Sequence, residues 1–123
     1  MAEQAPKTRY SDSELKEFEE LIDEKLAHAK EQLEVYLQQL EEFAENPDSR
    51  IKGLDDGVST IEAERLNTMA SRTKKYIEHL DQAKIRIHNK VYGICRITGK
   101  LISNDRLRAV PHATLSIEAK QKQ

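Results

Sequence analysis

From Leu15 onward the apolar positions fall three or four residues apart: Leu15, Phe18, Ile22, Leu26, Ala29, Leu33, Tyr36, Leu40 and Phe43, with Glu and Lys crowding the positions between. That period predicts a helix with a single apolar stripe. Ser11 and Glu14 stand three apart just ahead of it, as a capping box requires, and Asn46-Pro47 ends it because proline cannot continue a helix. A helix from about residue 12 to 45 is roughly 50 Å long. A second stripe, Ile61, Met69, Thr73, Tyr76, Ile77, Leu80, Ala83, Ile87 and Val91, follows a second capping box at Ser59 and Glu62. Between the stripes, residues 49–57 hold Gly53, Gly57 and the adjacent Asp55 and Asp56, a connecting loop. Two helices of similar length joined by a short loop pack antiparallel, as a coiled coil. Lys25, Gln32 and Gln39 interrupt the strict heptad, so the pair is expected to wind gently.

The pattern changes after residue 91. Apolar residues alternate from Tyr92 to Ile102 about Thr98-Gly99, which predicts a short β-hairpin. Residues 103–111 read as a turn-rich connector, and Thr114 as the cap of a short helix ending near Lys120. Such a piece buries little apolar surface alone and must pack on the helices. Its expected core is Ile94, Ile97, Leu101, Ile102, Leu107, Val110, Leu115 and Ile117. The expected organisation is a flexible lead over 1–11, a coiled-coil hairpin over 12–91 with its tip loop at about 46–59, and a small globular end over 92–123 carrying a short C-terminal helix. The fold class is mainly α.

Composition narrows the function. The chain has 123 residues, 34% of them charged and 5% aromatic, with a single Cys and no Trp. One Cys excludes an internal disulfide and any zinc site built from several thiolates. No apolar run approaches a membrane span, so a cytoplasmic protein without a membrane partner is expected. The net charge of -2 conceals 5 basic and 13 acidic side chains over residues 1–45 against 15 basic and 9 acidic ones over 46–123. These halves neutralise each other if the chain folds back, or the basic half meets a polyanion. Too few aromatic residues are present for base stacking, and sequence-specific DNA binding is not expected. His28, His79, His88 and His112 have no Ser or Cys partner at a motif spacing, and neither a P-loop nor a dinucleotide fingerprint is present, so an enzyme is not expected.

The run from Tyr92 to Lys120, placed after a long helical pair, resembles the DksA/TraR family of bacterial transcription factors. Tyr92-Gly93, Gly99, Arg106-Leu107, Ala109, Pro111, Ala113-Thr114-Leu115 and Lys120 carry the resemblance. The family binds zinc through two Cys-x-x-Cys pairs separated by 17 residues. This sequence keeps the frame, with Cys95, Thr98, Ser116 and Ala119 at the four ligand positions. Only Cys95 is a thiol, so the resemblance implies a treble-clef-like end whose zinc is predicted absent. Cys95 is expected to be a small packed hydrophobe, without an activated thiol. Neither His88 nor His112 lies at a ligand position.

The resemblance also implies a partner, RNA polymerase, whose secondary channel the family's coiled coil enters with acidic residues at its tip. The family's tip motif, Asp-x-x-Asp-x-Ala, falls on Lys52, Asp55 and Gly57 here, so Asp55 matches and Asp56 adds a second carboxylate. Some members bind guanosine tetraphosphate with polymerase. The matching positions here are Arg72, His79, Val110 and Lys120; Val110 offers no charge, and weakened or absent binding is expected. Arg72, Lys74, Lys75, Lys84, Arg86 and Lys90 are alternative polymerase contacts, or a solvated helix face paired with the first helix. The expected function is regulation of transcription initiation, of the stress-response type, by a monomer. A coiled-coil adaptor or scaffold acting through helix contacts is the alternative.

Overall fold

The computed structural model describes residues 8–45 and 56–121, with side chains described over 8–44 and 60–121. Four helices occur among these: α1 (Asp12–Glu45), α2 (Asp56–His88), α3 (Asn104–Ala109) and α4 (Ile117–Gln121). The capping box at the start of α1 is made in both directions. Ser11 N–H donates to Glu14 Oε1 (2.9 Å) and Glu14 N–H donates to Ser11 Oγ (3.1 Å). At the second start the expectation fails: α2 opens at Asp56, three residues ahead of Ser59, and Glu62 pairs instead with Arg65 at 2.8 Å. At its end Lys90 takes a left-handed φ of 65°. Its N–H donates to the Ile87 carbonyl and that of Val91 to the Arg86 carbonyl, both at 3.0 Å, which is a Schellman closure.

The chain divides into two compact units, and α1 and α2 each contribute to both. One unit comprises the chain up to Leu26 with everything from His79 onward; the other is Ala27–Glu78. In the first, three ion pairs fix the helices antiparallel: Asp12 with Lys90 (2.6 Å), Glu19 with His88 (3.2 Å) and Asp23 with Lys84 (2.6 Å). Acidic α1 thus meets the basic end of the hairpin, as the charge asymmetry predicts. Exposed pairs of this kind add little stability, because water and salt screen them. Apolar burial contributes more: Leu15, Phe18, Ile22 and Leu26 of α1 and Leu80, Ala83 and Ile87 of α2 are all buried.

The small end differs from its expected form in several places. The β-hairpin is reduced to one antiparallel bridge, Ile94 to Leu101, flanked by Cys95 N–H to the Lys100 carbonyl (2.8 Å) and Ile102 N–H to the Gly93 carbonyl (2.7 Å). Residues 103–111 are not merely a connector. Ser103 caps α3, its hydroxyl accepting from Arg106 N–H, and Leu107 of that helix is fully buried. The cap of α4 is Ser116, not Thr114: Ala119 N–H donates to Ser116 Oγ at 3.1 Å. Ile97 and Ile117, expected in the core, are 55% and 51% exposed. The buried core of this unit includes the aromatic residues Tyr10, Phe18 and Tyr92. Tyr10 and Phe18 meet edge to face at 5.3 Å, and Phe18 and Tyr92 lie 5.2 Å apart. Tyr10, expected in a loose lead, is buried and donates its hydroxyl to the Ile102 carbonyl (2.5 Å).

In the second unit Ala29, Leu66 and Ala70 are buried, while Leu33, Tyr36, Leu40, Phe43, Met69, Thr73, Tyr76 and Ile77 are half-buried. Ile61, counted into the α2 stripe, is 66% exposed, and Leu66 and Ala70, absent from it, are inside. The inward face therefore runs through 66, 70, 73 and 77. Val91 is likewise exposed, because it lies beyond the helix. No described helix is long and apolar enough to cross a membrane.

Candidate functional site

The four family ligand positions come together in the first unit, around a sulfur. Cys95 is buried, and its Sγ accepts from the backbone N–H groups of Thr98 (3.5 Å) and Ser116 (3.4 Å). The Cys95 carbonyl accepts from Gly99 N–H at 2.9 Å, and Gly99 has a φ of 72°, so the turn closes where glycine is at ease. Thr98 Oγ1 accepts from Lys100 N–H (3.2 Å), Ser116 caps α4, and Ala119 is buried beside that cap. One thiol, two hydroxyls already engaged by backbone donors and one methyl do not fit a structural zinc ion, which takes four thiolate or imidazole ligands. His88 pairs with Glu19 and His112 stacks on His79, and no metal-holding group of His, Cys, Asp or Glu occurs among the described residues.

The same donors alter the thiol. The Thr98 hydroxyl first, then the Thr98, Ser116 and Ile97 backbone N–H groups, lower the Cys95 thiol to about 6 while burial opposes them. The expectation that Cys95 has no activating neighbour is thereby corrected. Sequence spacing does not reveal these donors, because the Ser116 amide is brought in from 21 residues away.

A second feature of this unit is a cavity of about 320 Å³ lined by His79, Arg86, Arg106, Val110, His112 and Lys120 among others. Of the positions matched to the family's alarmone contacts, His79, Val110 and Lys120 share it. Arg72 does not: it lines a separate surface pocket with Asn67, Thr68, Ser71 and Lys75. The sequence reading missed Arg106 and His112 here and gave Arg86 only a surface role. One signal was present, since positions 79, 82 and 86 lie on one helical face. Arg106 is steered by Nε donating to the Leu115 carbonyl (2.8 Å). The His79 and His112 rings stack 5.5 Å apart, 18° from parallel. Burial first, then His79 and Arg86, push His112 below the usual imidazole value.

Of the predicted tip, Asp55 lies outside the described residues, as does Lys52. Asp56 and Gly57 are described only as the opening of the α2 backbone.

Comparison with known proteins agrees with this fold. A family model, the prokaryotic dksA/traR C4-type zinc finger, matches residues 90–123. The chain is 43% identical over 51 residues to the RNA polymerase-binding transcription factor DksA of Caulobacter vibrioides, covering 42% of this chain and only 36% of that protein. It is 25% identical over 104 residues to general stress protein 16O of Bacillus subtilis, covering 83% of this chain and 63% of that one. The structure of transcription factor DksA2 from Pseudomonas aeruginosa superposes with a TM-score of 0.81 at 26% identity, over 90% of this chain and 83% of the other. Residues 90–123 thus match the dksA/traR zinc-finger model, and the chain is similar in fold to DksA2 over 90% of its length.

Proposed function

We propose that this protein regulates transcription initiation by binding RNA polymerase, with the loop between α1 and α2 inserted into the secondary channel. The observation that carries the reading is the match to the DksA2 structure across 90% of the chain, together with relatives named as polymerase-binding factors. In this reading Asp55 and Asp56 act at the tip, near catalytic Mg²⁺ or the mobile elements around it, and the small end docks on the polymerase surface. The protein is a regulator and not an enzyme; it works as a cytoplasmic monomer, and reads no DNA sequence. Its small end folds without zinc, because the donor set at Cys95, Thr98, Ser116 and Ala119 lacks three of four ligands. Guanosine tetraphosphate binds weakly or not at all, since Val110, which carries no charge, stands at one matched position.

The test is binding to the cognate core polymerase in competition with a Gre-type factor that occupies the same channel. Mutually exclusive binding is expected, with Asp55→Asn abolishing the transcriptional effect while leaving the circular dichroism spectrum and binding intact. Simultaneous binding of both factors overturns the channel assignment. A folded protein that does not bind at all leaves the adaptor reading in its place, and that reading predicts sensitivity to Leu33→Asp but not to Asp55→Asn.

A further inference from the structure

In the first unit a groove of about 310 Å³ is lined by residues of α1 and α3. Phe18 and Leu21 supply its apolar floor, and Glu17, Glu20 and Glu24 stand exposed along its α1 side. These carboxylates fall at i, i+3 and i+7, so they make one row about 10 Å long. None of the three has an ion-pair partner among the described residues. Their neighbours on α1 do: Asp12, Glu19 and Asp23 are taken by Lys90, His88 and Lys84 of the same chain. On the α3 side Arg108 is the cation of the lining, and its Nε donates to Asn104 Oδ1 rather than to a glutamate.

The complementary row is on α2. Asn67, Thr68, Ser71, Arg72 and Lys75 line a surface pocket that holds neither Asp nor Glu, and all five are exposed. Neither Arg72 nor Lys75 has an ion pair among the described residues. Taken backwards along the chain, Lys75, Arg72 and Thr68 step by three and then four residues, as Glu17, Glu20 and Glu24 do forwards. Two such helices laid antiparallel set Lys75 against Glu17, Arg72 against Glu20 and the Thr68 hydroxyl against Glu24 in a single register. We infer that the groove between α1 and α3 receives the Thr68–Lys75 face of α2 from a second copy of this chain. Within one chain that stretch of α1 is already opposite Lys84 and His88, so the occupant comes from another molecule. The lysine and arginine stems lie over Phe18 and Leu21 while their charged heads reach the carboxylates. Exposed pairs are individually weak and screened by salt, so the contact grows with concentration and the monomer is the dilute form. The partner is a second copy and not polymerase, so the inference stands apart from the channel reading.

The test is sedimentation of the full chain from micromolar to millimolar concentration. At low salt the mass should rise with concentration, and in about 0.5 M NaCl it should return to that of the monomer. Glu20→Arg and Arg72→Glu, both at exposed positions, should each weaken self-association by about tenfold or more while the circular dichroism spectrum stays unchanged. The double variant Glu20→Arg with Arg72→Glu restores an opposite pair in the same register and should associate as the wild type does. A chain that stays monomeric throughout at low salt overturns the inference, as does an association that salt leaves unchanged. Single variants that associate like the wild type, or a double variant no better than the singles, overturn the register and with it the occupant.

Discussion

Tyr10 donates to the Ile102 carbonyl from a buried ring, and its Tyr10→Phe variant leaves that carbonyl without its donor while the packing on Phe18 survives. The expected loss is about 1–2 kcal/mol in urea unfolding, the cost of an unsatisfied buried acceptor. Gly93 is more demanding. Its φ is 80°, and a Cβ there would stand 2.7 Å from the Tyr10 ring. Gly93→Ala should destabilise by about 1–3 kcal/mol, and more than Gly99→Ala, where nothing lies within 4 Å and only the backbone strain remains. Cys95 gives a spectroscopic prediction. The thiolate absorbance at 240 nm should rise near pH 6 rather than 9, and Thr98→Val, which removes the leading donor, should move the midpoint upward. None of these effects follows from the residue type alone; each depends on what the fold sets beside it.

Among the elements, the two long helices divide their burial unevenly. Leu66 is 2% exposed and Ile61 is 66% exposed, although both are apolar residues of α2. Leu66→Ala should cost about 2–5 kcal/mol, and Ile61→Ala should stay within about 0.5 kcal/mol, a contrast that thermal or chemical unfolding reads directly. The period of α1 identified its inward residues correctly through Ala29, since strong helix formers and a capping box leave a single stripe to bury. The α2 stripe was legible only in its second half. Its opening was displaced because a capping pattern at Ser59 and Glu62 has a competing use: Glu62 serves Arg65 one turn on. The short α3 was not legible. Six residues carry too little periodicity to separate a helix from a turn-rich connector, and the Ser103 cap with buried Leu107 decides the matter.

At the scale of the whole molecule, stability should fall with acidity. Cys95 has a folded value near 6 against an ordinary 9.0, so the stability of its thiolate is full above pH 9 and is lost as pH falls towards 6. His112 is also lowered, so its folded form binds fewer protons than the unfolded chain, and stability declines further below 6.5. The two signs agree, and the melting temperature should drop steadily from pH 9 to pH 5.5. A chelator should leave it unchanged at any pH in that range, in contrast to a four-thiolate finger, which loses its fold with its metal. The sequence by itself determined the two long helices, their antiparallel return, the charge complementarity between them and the family frame at 95, 98, 116 and 119. Those are properties of period, capping and spacing, which are local. Only the tertiary structure decided that Tyr10 closes the core, that backbone N–H groups hold the Cys95 sulfur, and that His79, Arg86, Arg106 and His112 meet around one cavity. These contacts join residues far apart in the chain, and they form only when α2, α3 and the 110–116 segment have been packed together.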